Sequence, residues 1–320
     1  MKLRFGIIGP GRIAERFARV AGTSECAEVV AVASRERSRA EAFALRMGVP
    51  KVHDSYLDLV RDTGIDAVYI GLTHNFHYEA AQLCLENGKA VLCEKPMATT
   101  KREAESLAAL AASRNVLLVE AMWTRCLPAF LRAKEWTRAG KVGKIGLVEA
   151  AFCFKAPYDP LGRLFNPELA GGALLDAGVY PIEFAMGILG EAPSAIAGVA
   201  SMGETGVDYF DSMSLLFPSG AIASLSCGLS ARASTDARVY GDRGSIVSYN
   251  FLGSKRCELF DSDCALVETF EGDFEDGFIF EIEHFADLYR NGKKESDLIP
   301  LEDTIACAGI FDEMRKQWRS

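Results

Sequence analysis

The sequence has 320 residues, of which 49% are hydrophobic and 25% charged, and its 35 Lys and Arg against 44 Asp and Glu give a formal net charge of −9. This length favours two domains over one very large core, and the composition excludes a chain that is disordered throughout. The acidic balance argues against nucleic acid or an anionic membrane as the main partner, because both need a basic binding face.

Nine cysteines and four histidines are scattered along the chain, and no Cys-x-x-Cys pair occurs. Such spacing does not suit a zinc site, and a disulfide framework is not expected in a chain this long and apolar. Residues 1–8 lack the pattern of a signal peptide, and no apolar run approaches the roughly 18 residues of a membrane span. We therefore expect a cytoplasmic protein without a metal site.

The first third of the sequence alternates short apolar runs with helical patterns. The five apolar runs cover residues 3–8, 29–33, 66–71, 89–93 and 116–120. Short, continuously apolar strands that are separated by helices are typical of a parallel sheet covered on both faces. The sequence therefore predicts an α/β domain over residues 1–121, with a doubly wound parallel sheet of the Rossmann type.

A different pattern begins after residue 121. The predicted elements are a helix at about 128–139, a strand at 146–154, a loop at 156–172, a helix at 173–189, strands from 195 to about 269, and helices at about 277–290 and 303–318. Glycine-containing turns separate the strands, which is typical of an antiparallel sheet. We predict an α+β domain over residues 122–320, with a large, mainly antiparallel open sheet that serves substrate binding and oligomerisation. The pattern leaves open whether the final helix packs back on the first domain.

A glycine motif lies between the first predicted strand and the first helix. It reads Gly9-x-Gly11-x-x-Ala14, in the strand–turn–helix context that is typical of dinucleotide binding. Gly9 permits the tight turn, Gly11 lets the backbone approach a pyrophosphate, and Ala14 allows close packing of helix and strand. The pyrophosphate would lie on the helix N-terminus, where Arg12 and Ile13 are the first residues.

The residues after the second predicted strand bear on the choice between NAD and NADP. NAD-binding domains usually have Asp or Glu there to hold the ribose 2′-hydroxyl, whereas this chain has Ser34. Arg35, Arg37 and Arg39 follow, and a guanidinium suits a 2′-phosphate. Glu36 keeps NAD open, since a shift of one residue would restore an acid. We expect NADP(H) to be favoured over NAD(H), with Ser34, Arg35 and Arg39 among the residues that bind it.

Three further motifs, read together, resemble one protein family. They are Thr73-His74-Asn75-Phe76-His77, Glu94-Lys95-Pro96 and the segment 171–181, which reads GGALLDAGVYP. In this order, and over nearly the whole chain, they resemble the Gfo/Idh/MocA oxidoreductases, which are named after glucose–fructose oxidoreductase and inositol dehydrogenase. Residues 121–125 (AMWTR) and 204–208 (ETGVD) are similar to the branch of the dimeric dihydrodiol dehydrogenases and NADP-dependent D-xylose dehydrogenases.

A few positions depart from the pattern of many family members. Tyr180 and Glu183 stand where those members have His and Asp, and tyrosine at the first of these positions is similar to the dihydrodiol and xylose branch. His74 stands where the family often has proline. The resemblance still implies that the loop around His74 passes near the cofactor.

The resemblance also implies roles for individual residues. Lys95 would lie beside the nicotinamide and Tyr180 beside the substrate, and the sequence does not decide which of them holds the transferred proton. A tyrosine has an unperturbed pKa of about 10, so a nearby cation such as Lys95 would help it to act near neutral pH. Asp176 lies one helical turn before Tyr180 and would orient the substrate or tune Lys95. The remaining candidate residues are Thr73, His77 and Glu94 for the cofactor, and Trp123, Arg125 and, in the long loop, Arg163 for the substrate.

The expected function is an NADP-dependent transfer of hydride between nicotinamide and a hydroxyl or carbonyl carbon of a sugar or cyclic trans-diol. A keto-sugar reductase, similar to anhydrofructose reductase, would use the same residues in the other direction. A non-catalytic NAD(P)-sensing regulator on the same fold is the alternative from another class, although it would not need both Lys95 and Tyr180. We expect a homodimer or larger homo-oligomer through the second-domain sheet, and no nucleic-acid or membrane partner.

Overall fold

The computed structural model describes residues 1–318, which form two compact units. The first combines Met1–Ala121 with Phe278–Thr304, and the second combines Met122–Gly277 with the chain from Ile305 onward. Residues 278–304, which the sequence pattern predicts to be part of the second domain, thus belong to the first unit. The ring centroids of Phe5 and Phe285 lie 5.5 Å apart there. This packing joins residues far apart in the chain, so local patterns do not reveal it.

Residues 1–121 alternate strands and helices around one parallel sheet. The elements are β1 (Leu3–Ile8), α1 (Arg12–Thr23), β2 (Ala27–Ala33), α2 (Arg37–Met47), β3 (Lys51–His53), α3 (Tyr56–Arg61), β4 (Ala67–Ile70), α4 (His77–Glu86), β5 (Ala90–Glu94), α5 (Lys101–Arg114) and β6 (Leu118–Ala121). The strand order is β3-β2-β1-β4-β5-β6. Every residue of β4, β5 and β6 is buried, which explains their almost continuous apolar sequences. The predicted doubly wound sheet is confirmed.

Two short elements of this sheet domain have no signal in the sequence pattern. β3 has three residues, of which only Val52 is apolar, and α3 has six residues. Segments this short cannot establish a period of two or of 3.6 residues. They are visible only through their pairing and packing in the fold.

The parallel register brings the carboxyl ends of the strands to one edge of the sheet. Ile8 of β1 pairs with Ala33 of β2 and with Ile70 of β4. Ile70 in turn pairs with Cys93 of β5. The residues that directly follow β1, β2, β4 and β5 therefore share this edge, and β1 lies in the middle, between β2 and β4.

An eight-stranded sheet is the centre of the second unit. The remaining elements are α6 (Pro128–Arg138), β7 (Ile145–Cys153), α7 (Val179–Leu189), β8 (Ala195–Met202), β9 (Asp208–Leu216), β10 (Ile222–Gly228), β11 (Ala237–Gly241), β12 (Gly244–Tyr249), β13 (Arg256–Asp261), β14 (Leu266–Glu271), α8 (Phe278–Arg290) and α9 (Leu301–Trp318). The strand order is β14-β13-β12-β11-β7-β10-β9-β8. All neighbouring strands are antiparallel except β7 and β10, which are parallel. The predicted, mainly antiparallel open sheet is confirmed.

One face of this second sheet is covered and the other is open. Along β9, Asp211, Met213 and Leu215 are buried, whereas Ser212 and Ser214 are exposed. Such alternation is what an antiparallel sheet with one buried face requires. Helices α6 and α7 contact the sheet and cover its buried face.

The predicted helix over residues 173–189 has an irregular start. Leu174–Gly178 form a π-helical turn, and the α-helix α7 begins only at Val179. Within residues 1–318, the segment Pro167–Leu189 alone is long and apolar enough to cross a membrane by length and composition, and 89% of its most apolar stretch is buried inside the protein. This segment is therefore a core element of the second unit.

Candidate active site

The turn after β1 depends on its first glycine. Gly9 has a φ of +90°, in the left-handed region that favours glycine. A Cβ atom at this position would lie 2.9 Å from the carbonyl oxygen of Gly71 and 2.7 Å from Leu72 Cδ2. The Gly9 N–H donates to the Ala33 carbonyl at 3.3 Å. Glycine is thus required here by the packing of the protein itself, where the ends of β1, β2 and β4 meet.

The second glycine, Gly11, has no such requirement within the described chain. Its φ of −92° is ordinary, and an added Cβ atom would meet only the Gly71 carbonyl oxygen, at a normal contact distance of 3.7 Å. Gly11 is the N-cap of α1 and offers no side chain to the first helical N–H groups, those of Arg12, Ile13 and Ala14. Such helix starts attract anions. Open space and backbone donors therefore coincide where a pyrophosphate would bind.

Three arginines follow β2, and two of them lack a carboxylate partner. Arg37 forms ion pairs with Glu41, at 2.7 Å, and with Asp54. Arg35 and Arg39 are exposed, and neither forms an ion pair with any of residues 1–318. The end of β2 is therefore locally basic in a protein that is acidic as a whole.

Ser34 and Phe76 shape the surroundings of Arg35. Ser34 is buried, and its hydroxyl accepts a hydrogen bond from the Glu36 N–H at 3.4 Å. The Arg35 guanidinium lies over the Phe76 ring, 4.4 Å from its centroid. This cation–π contact holds the guanidinium beside the turn that follows β4.

Thr73 lies in the turn after β4 and His77 is the first residue of α4, and the polar atoms of both face other groups of the chain. His77 is fully buried, with Nδ1 2.8 Å from the Pro96 carbonyl oxygen and Nε2 3.0 Å from that of Leu72. Burial lowers the pKa of His77, and these two carbonyl contacts oppose that shift. The Thr73 hydroxyl donates to the Asn75 side chain at 2.8 Å. Both ring nitrogens of His77 face carbonyl oxygens, so it holds two turns together.

Glu94, the last residue of β5, is buried against aromatic side chains. Its Oε1 accepts a hydrogen bond from the Tyr69 hydroxyl at 2.5 Å. The Tyr69 ring stacks on Phe17 of α1, with centroids 3.8 Å apart. Burial raises the pKa of Glu94, while the Tyr69 hydrogen bond and the charge of Lys95 oppose the shift. Glu94 therefore ties the end of β5 to β4 and, through Tyr69, to α1.

Lys95 occupies a buried turn that one carboxylate anchors. The residue is 9% exposed, and its peptide bond to Pro96 is cis. The next residue, Met97, donates its N–H to Glu120 Oε1 at 2.8 Å, and the Thr304 hydroxyl donates to Glu120 Oε2 at 2.8 Å. Glu120 Oε1 thus holds the chain segment that carries Lys95, while Oε2 links that segment to Thr304.

Glu120 is absent from the residues that the sequence predicts for the site. The signal that could indicate it is an acidic residue inside the apolar run 116–120, because a buried charge needs hydrogen-bond partners. Those partners, Met97 and Thr304, come from distant parts of the chain. Only the fold brings them to the carboxylate.

In the second unit, Arg163 and Asp176 form an ion pair. Arg163 Nη1 lies 2.7 Å from Asp176 Oδ1, and the two side chains are 53% and 9% exposed. Gly172 has a φ of +117° and turns the chain from the loop into the π-helical turn that contains Asp176. The structure therefore brings together two residues that the sequence predicts separately for substrate binding. The pair combines donors with acceptors, as recognition of hydroxyl groups requires.

Tyr180 is the second residue of α7 and is half-buried. Its ring meets that of Phe152 edge-on, with centroids 5.5 Å apart. Asp176 belongs to the π-helical turn and Tyr180 to α7, so their spacing is not that of the regular α-helix that the sequence predicts. Such turns are frequent at functional sites.

The structure places Arg125 in a buried ion pair that the sequence pattern does not predict. Arg125 is fully buried, with Nη1 3.1 Å from Glu183 Oε2, and its Nε donates to the Glu183 carbonyl at 3.2 Å. A guanidinium held in a buried ion pair inside the unit is a structural group. Trp123 is half-buried and packs tightly on Gly277, where an added Cβ atom would lie 2.8 Å from its ring.

Comparisons with known proteins match two consecutive parts of the chain to models of one family. Residues 3–122 match the family model of the Gfo/Idh/MocA oxidoreductases, described as an oxidoreductase family with an NAD-binding Rossmann fold. Residues 130–247 match the Gfo/Idh/MocA C-terminal domain. The chain belongs to the Gfo/Idh/MocA family.

This Gfo/Idh/MocA protein is similar to several named oxidoreductases. It is 35% identical to trans-1,2-dihydrobenzene-1,2-diol dehydrogenase from Mus musculus over 324 residues, which cover 99% of this chain and 97% of that protein. The solved structure of a 3-ketoreductase from Actinomadura kijaniata, with NADP and TDP-benzene, is 28% identical, with a TM-score of 0.86 over 99% of this chain and 98% of that one. The aldose-aldose oxidoreductase from Caulobacter crescentus, complexed with glycerol, has a TM-score of 0.90 at 22% identity and covers 100% and 98% of the two chains, which shows the shared fold. The protein is therefore an oxidoreductase, and its first unit is an NAD(P)-binding Rossmann domain.

The structural role of Arg125 predicts the behaviour of two variants. Arg125→Met should destabilise the second unit by about 3–5 kcal/mol, because it leaves Glu183 as a buried, unpaired carboxylate. Urea unfolding followed by tryptophan fluorescence measures this loss, since Trp123, Trp136 and Trp318 all belong to the second unit. The double variant Arg125→Met/Glu183→Leu serves as the control and should recover most of the stability. An equal loss in both variants would contradict the ion-pair interpretation.

Proposed function

We propose that this Gfo/Idh/MocA protein is an NADP-dependent oxidoreductase that acts on a hydroxyl or carbonyl carbon of a sugar or cyclic trans-diol. The observation that carries the proposal is the common sheet edge at which β1, β2, β4 and β5 end. Three of these strands are followed by a glycine turn, by two arginines that have no carboxylate partner among residues 1–318, and by a buried lysine. A dinucleotide enzyme of this fold needs such groups at this edge.

The residues after β1 fit a dinucleotide. Gly11 leaves open a space that the protein itself does not need, and the first turn of α1 presents the N–H groups of Arg12 and Ile13. An anionic pyrophosphate is the group that such a helix start favours. When bound, NADP(H) would supply the hydride chemistry, and Gly9, Gly11, Arg12 and Ile13 would hold its pyrophosphate.

The preference for NADP over NAD is proposed from the residues after β2. Ser34 has a hydroxyl where a carboxylate would repel a 2′-phosphate. Arg35 and Arg39 have no carboxylate to neutralise them among the described residues, so they can donate charge-assisted hydrogen bonds to that phosphate. Arg37, which is paired with Glu41 and Asp54, is not part of this set.

Lys95 and Tyr180 are proposed to provide the proton route for the substrate hydroxyl. A lysine ammonium favours the phenolate form of a tyrosine, which brings the titration of the phenol closer to neutral pH. Glu120 and Glu94 fix the turn that carries Lys95. Asp176, together with Arg163, would orient the substrate through hydrogen bonds.

The substrate class is proposed from the donor set and from the relatives. Arg163, Asp176 and Tyr180 offer hydrogen-bonding groups, and the Phe152 ring beside Tyr180 is apolar. A ring that carries neighbouring hydroxyls, such as a sugar or a cyclic trans-diol, suits that combination. The mouse relative is named for a trans-diol and the Actinomadura kijaniata relative for a ketone. Reduction of a keto-sugar would use the same residues in the opposite direction.

A homodimer through the open sheet face is a further part of the proposal. Val199 of β8 pairs with Ser212 of β9, and Leu216 of β9 pairs with Ile222 of β10. Val199 is 71% exposed, and Leu216 and Ile222 are each 44% exposed. Small serines between exposed apolar side chains make a flat surface that a second copy of the same sheet can cover.

The cytoplasm is the proposed location. All nine cysteines are free thiols, and seven of them are buried. Free thiols are maintained in a reducing compartment.

Removal of either proposed proton-transfer group should reduce catalysis without loss of the cofactor. Lys95→Met and Tyr180→Phe should each lower turnover by about 10² or more, the scale of lost acid–base catalysis. Turnover is measured by NADPH absorbance with aldoses, inositols and cyclic trans-diols, and binding by NADPH fluorescence. Lys101→Met and Tyr289→Phe, which alter exposed residues of the same types, serve as controls. Full activity in either site variant would contradict the assigned roles, and an inactive unaltered protein across this panel with both cofactors would contradict the proposed function.

The proposed cofactor preference is tested at Arg35. Arg35→Ala should weaken NADP binding by about 10- to 100-fold, the scale of a lost charge-assisted hydrogen bond, and NAD binding far less. Dissociation constants from fluorescence titration measure both effects. Arg37→Ala is the matched control and should change neither, because Arg37 is held by Glu41 and Asp54. Equal weakening of NAD and NADP in Arg35→Ala would point instead to NAD and Glu36.

The proposed dimer is tested by sedimentation at micromolar concentration. The unaltered chain of 34.8 kDa should sediment at twice its mass. Val199→Glu should shift the protein to the monomer, because it places a charge on the apolar sheet face. Leu45→Glu, at an 87% exposed position of α2, should leave the mass unchanged. A monomeric unaltered protein would refute the proposed dimer.

A further inference from the structure

Two buried aspartates lie in β9 of the second unit and belong neither to the proposed cofactor site nor to the proposed proton route. Asp208 is 8% exposed and Asp211 is fully buried. Neither forms an ion pair with a Lys, Arg or His among residues 1–318. Two buried carboxyls without a cation are costly unless at least one of them is neutral.

Asp208 holds the start of the segment that leads to Asp176 and Tyr180. Its Oδ2 accepts a hydrogen bond from the Leu174 N–H at 2.6 Å. Its Oδ1 lies so close to Gly172 that an added Cβ atom there would be 2.2 Å away. The Asp208 carboxylate thus satisfies the N–H of Leu174, the first residue of the π-helical turn, as a capping side chain does.

Asp211 lies between Asp208 and a thiol. Cys227 of β10 donates from Sγ to Asp211 Oδ2 at 3.1 Å. The same Sγ fills the space beside the last residue of the π-helical turn, since an added Cβ atom at Gly178 would lie 2.9 Å from it. Asp211 therefore connects, through Cys227, with the far end of the turn whose start Asp208 holds.

A proton on Asp211 would account for the lack of a hydrogen-bond donor at its second carboxyl oxygen. Asp211 Oδ1 is buried, and no N–H, thiol or hydroxyl group of the described residues donates a hydrogen bond to it. The titratable group beside it is the Asp208 carboxyl. Two carboxyl groups can form a hydrogen bond only when one of them is protonated. Burial and then the charge of Asp208 raise the pKa of Asp211 to about 9. The other titratable groups that face Asp211 are the Cys227 thiol and, on β7, the Cys153 thiol.

We propose that Asp208 and Asp211 form an acid pair that shares one proton and positions the segment carrying Asp176 and Tyr180. In the proposed pair, the protonated Asp211 donates to Asp208. Asp211 also accepts from Cys227, and Asp208 accepts the Leu174 N–H. The two aspartates are positioning residues, because they act through the backbone of the π-helical turn. The catalytic consequence rests on the proposed function, whereas the shared proton does not.

The shared proton makes the free energy of unfolding depend on pH, and the variant Asp211→Asn separates this contribution from those of other groups. Asp211 keeps its proton in the folded state up to about pH 9, whereas an aspartate in the unfolded chain loses it near pH 4. The folded state thus holds one more proton between these values, so this group lowers stability as the pH rises through that window. Asp211→Asn keeps the shape and a donor but cannot titrate. The unfolding equilibrium constant of the unaltered protein, divided by that of Asp211→Asn, should rise about tenfold per pH unit between about pH 5 and 8.

Tryptophan fluorescence in urea measures this ratio, because all three tryptophans belong to the second unit. Asp263→Asn, at an exposed position, is the matched control, and its stability should follow that of the unaltered protein at every pH. A ratio for Asp211→Asn that stays constant with pH would overturn the shared proton. This measurement needs no substrate, so it decides the acid pair even if the proposed function fails.

The positioning role is tested at Asp208. Asp208→Ala removes the acceptor of the Leu174 N–H and should lower kcat at least about tenfold, with NADPH binding unchanged. Asp208→Asn keeps an acceptor oxygen and should restore most of kcat. Tryptophan fluorescence identifies which of the two variants fold. The kcat values of Asp208→Ala and Asp208→Asn are compared for folded protein only. Unaltered kcat in folded Asp208→Ala, or failure of Asn to restore turnover, would overturn the positioning role.

Discussion

The alignment of strand ends in the parallel sheet is the constraint on which the first unit depends. Parallel strands that pair in register finish at one edge, and Ile8, Ala33 and Ile70 finish together there. β1 lies between β2 and β4, where the order of strands along the chain reverses, and folds of this kind bind ligands at that point. Residues far apart in the sequence therefore meet at one edge because each follows a strand. The chemistry of the unit therefore depends on which side chains directly follow the strands at this edge.

This constraint explains how much of the first unit can be predicted from the sequence. A residue that directly follows an apolar run is held by the chain itself at the edge where the strands end. The local pattern is therefore sufficient to place Gly9, Arg35 and Lys95 at this edge. Elements that depend on distant pairing are not predictable in this way. β3 has a single apolar residue, and the parallel pairing of β7 with β10 joins strands that are far apart in the chain. The antiparallel hairpins of the second sheet, by contrast, follow from the turns between consecutive strands.

The partners of buried polar residues in the candidate site are also not predictable from local sequence. The motif around residue 121 predicts that Arg125 faces a ligand, but its partner Glu183 lies 58 residues further along. Glu120 depends on Thr304, 184 residues away. Asp211 depends on a thiol from another strand. A sequence shows that such a side chain must be satisfied if it is buried, yet the identity of its partner follows only from the fold. Arg163 and Asp176 are the favourable case, since the loop that joins them is short.

The first unit is completed by a segment from near the other end of the chain. Phe285 packs on Phe5, the Leu118 N–H donates to the Lys294 carbonyl, and Thr304 donates to Glu120. On the ribosome, these later residues emerge only after the whole second sheet has been translated. At about 5–20 residues per second, the N-terminal sheet waits on the order of tens of seconds for its last covering helix. During biosynthesis, the domain that begins first is therefore closed late, with apolar surface exposed to chaperones in the interval.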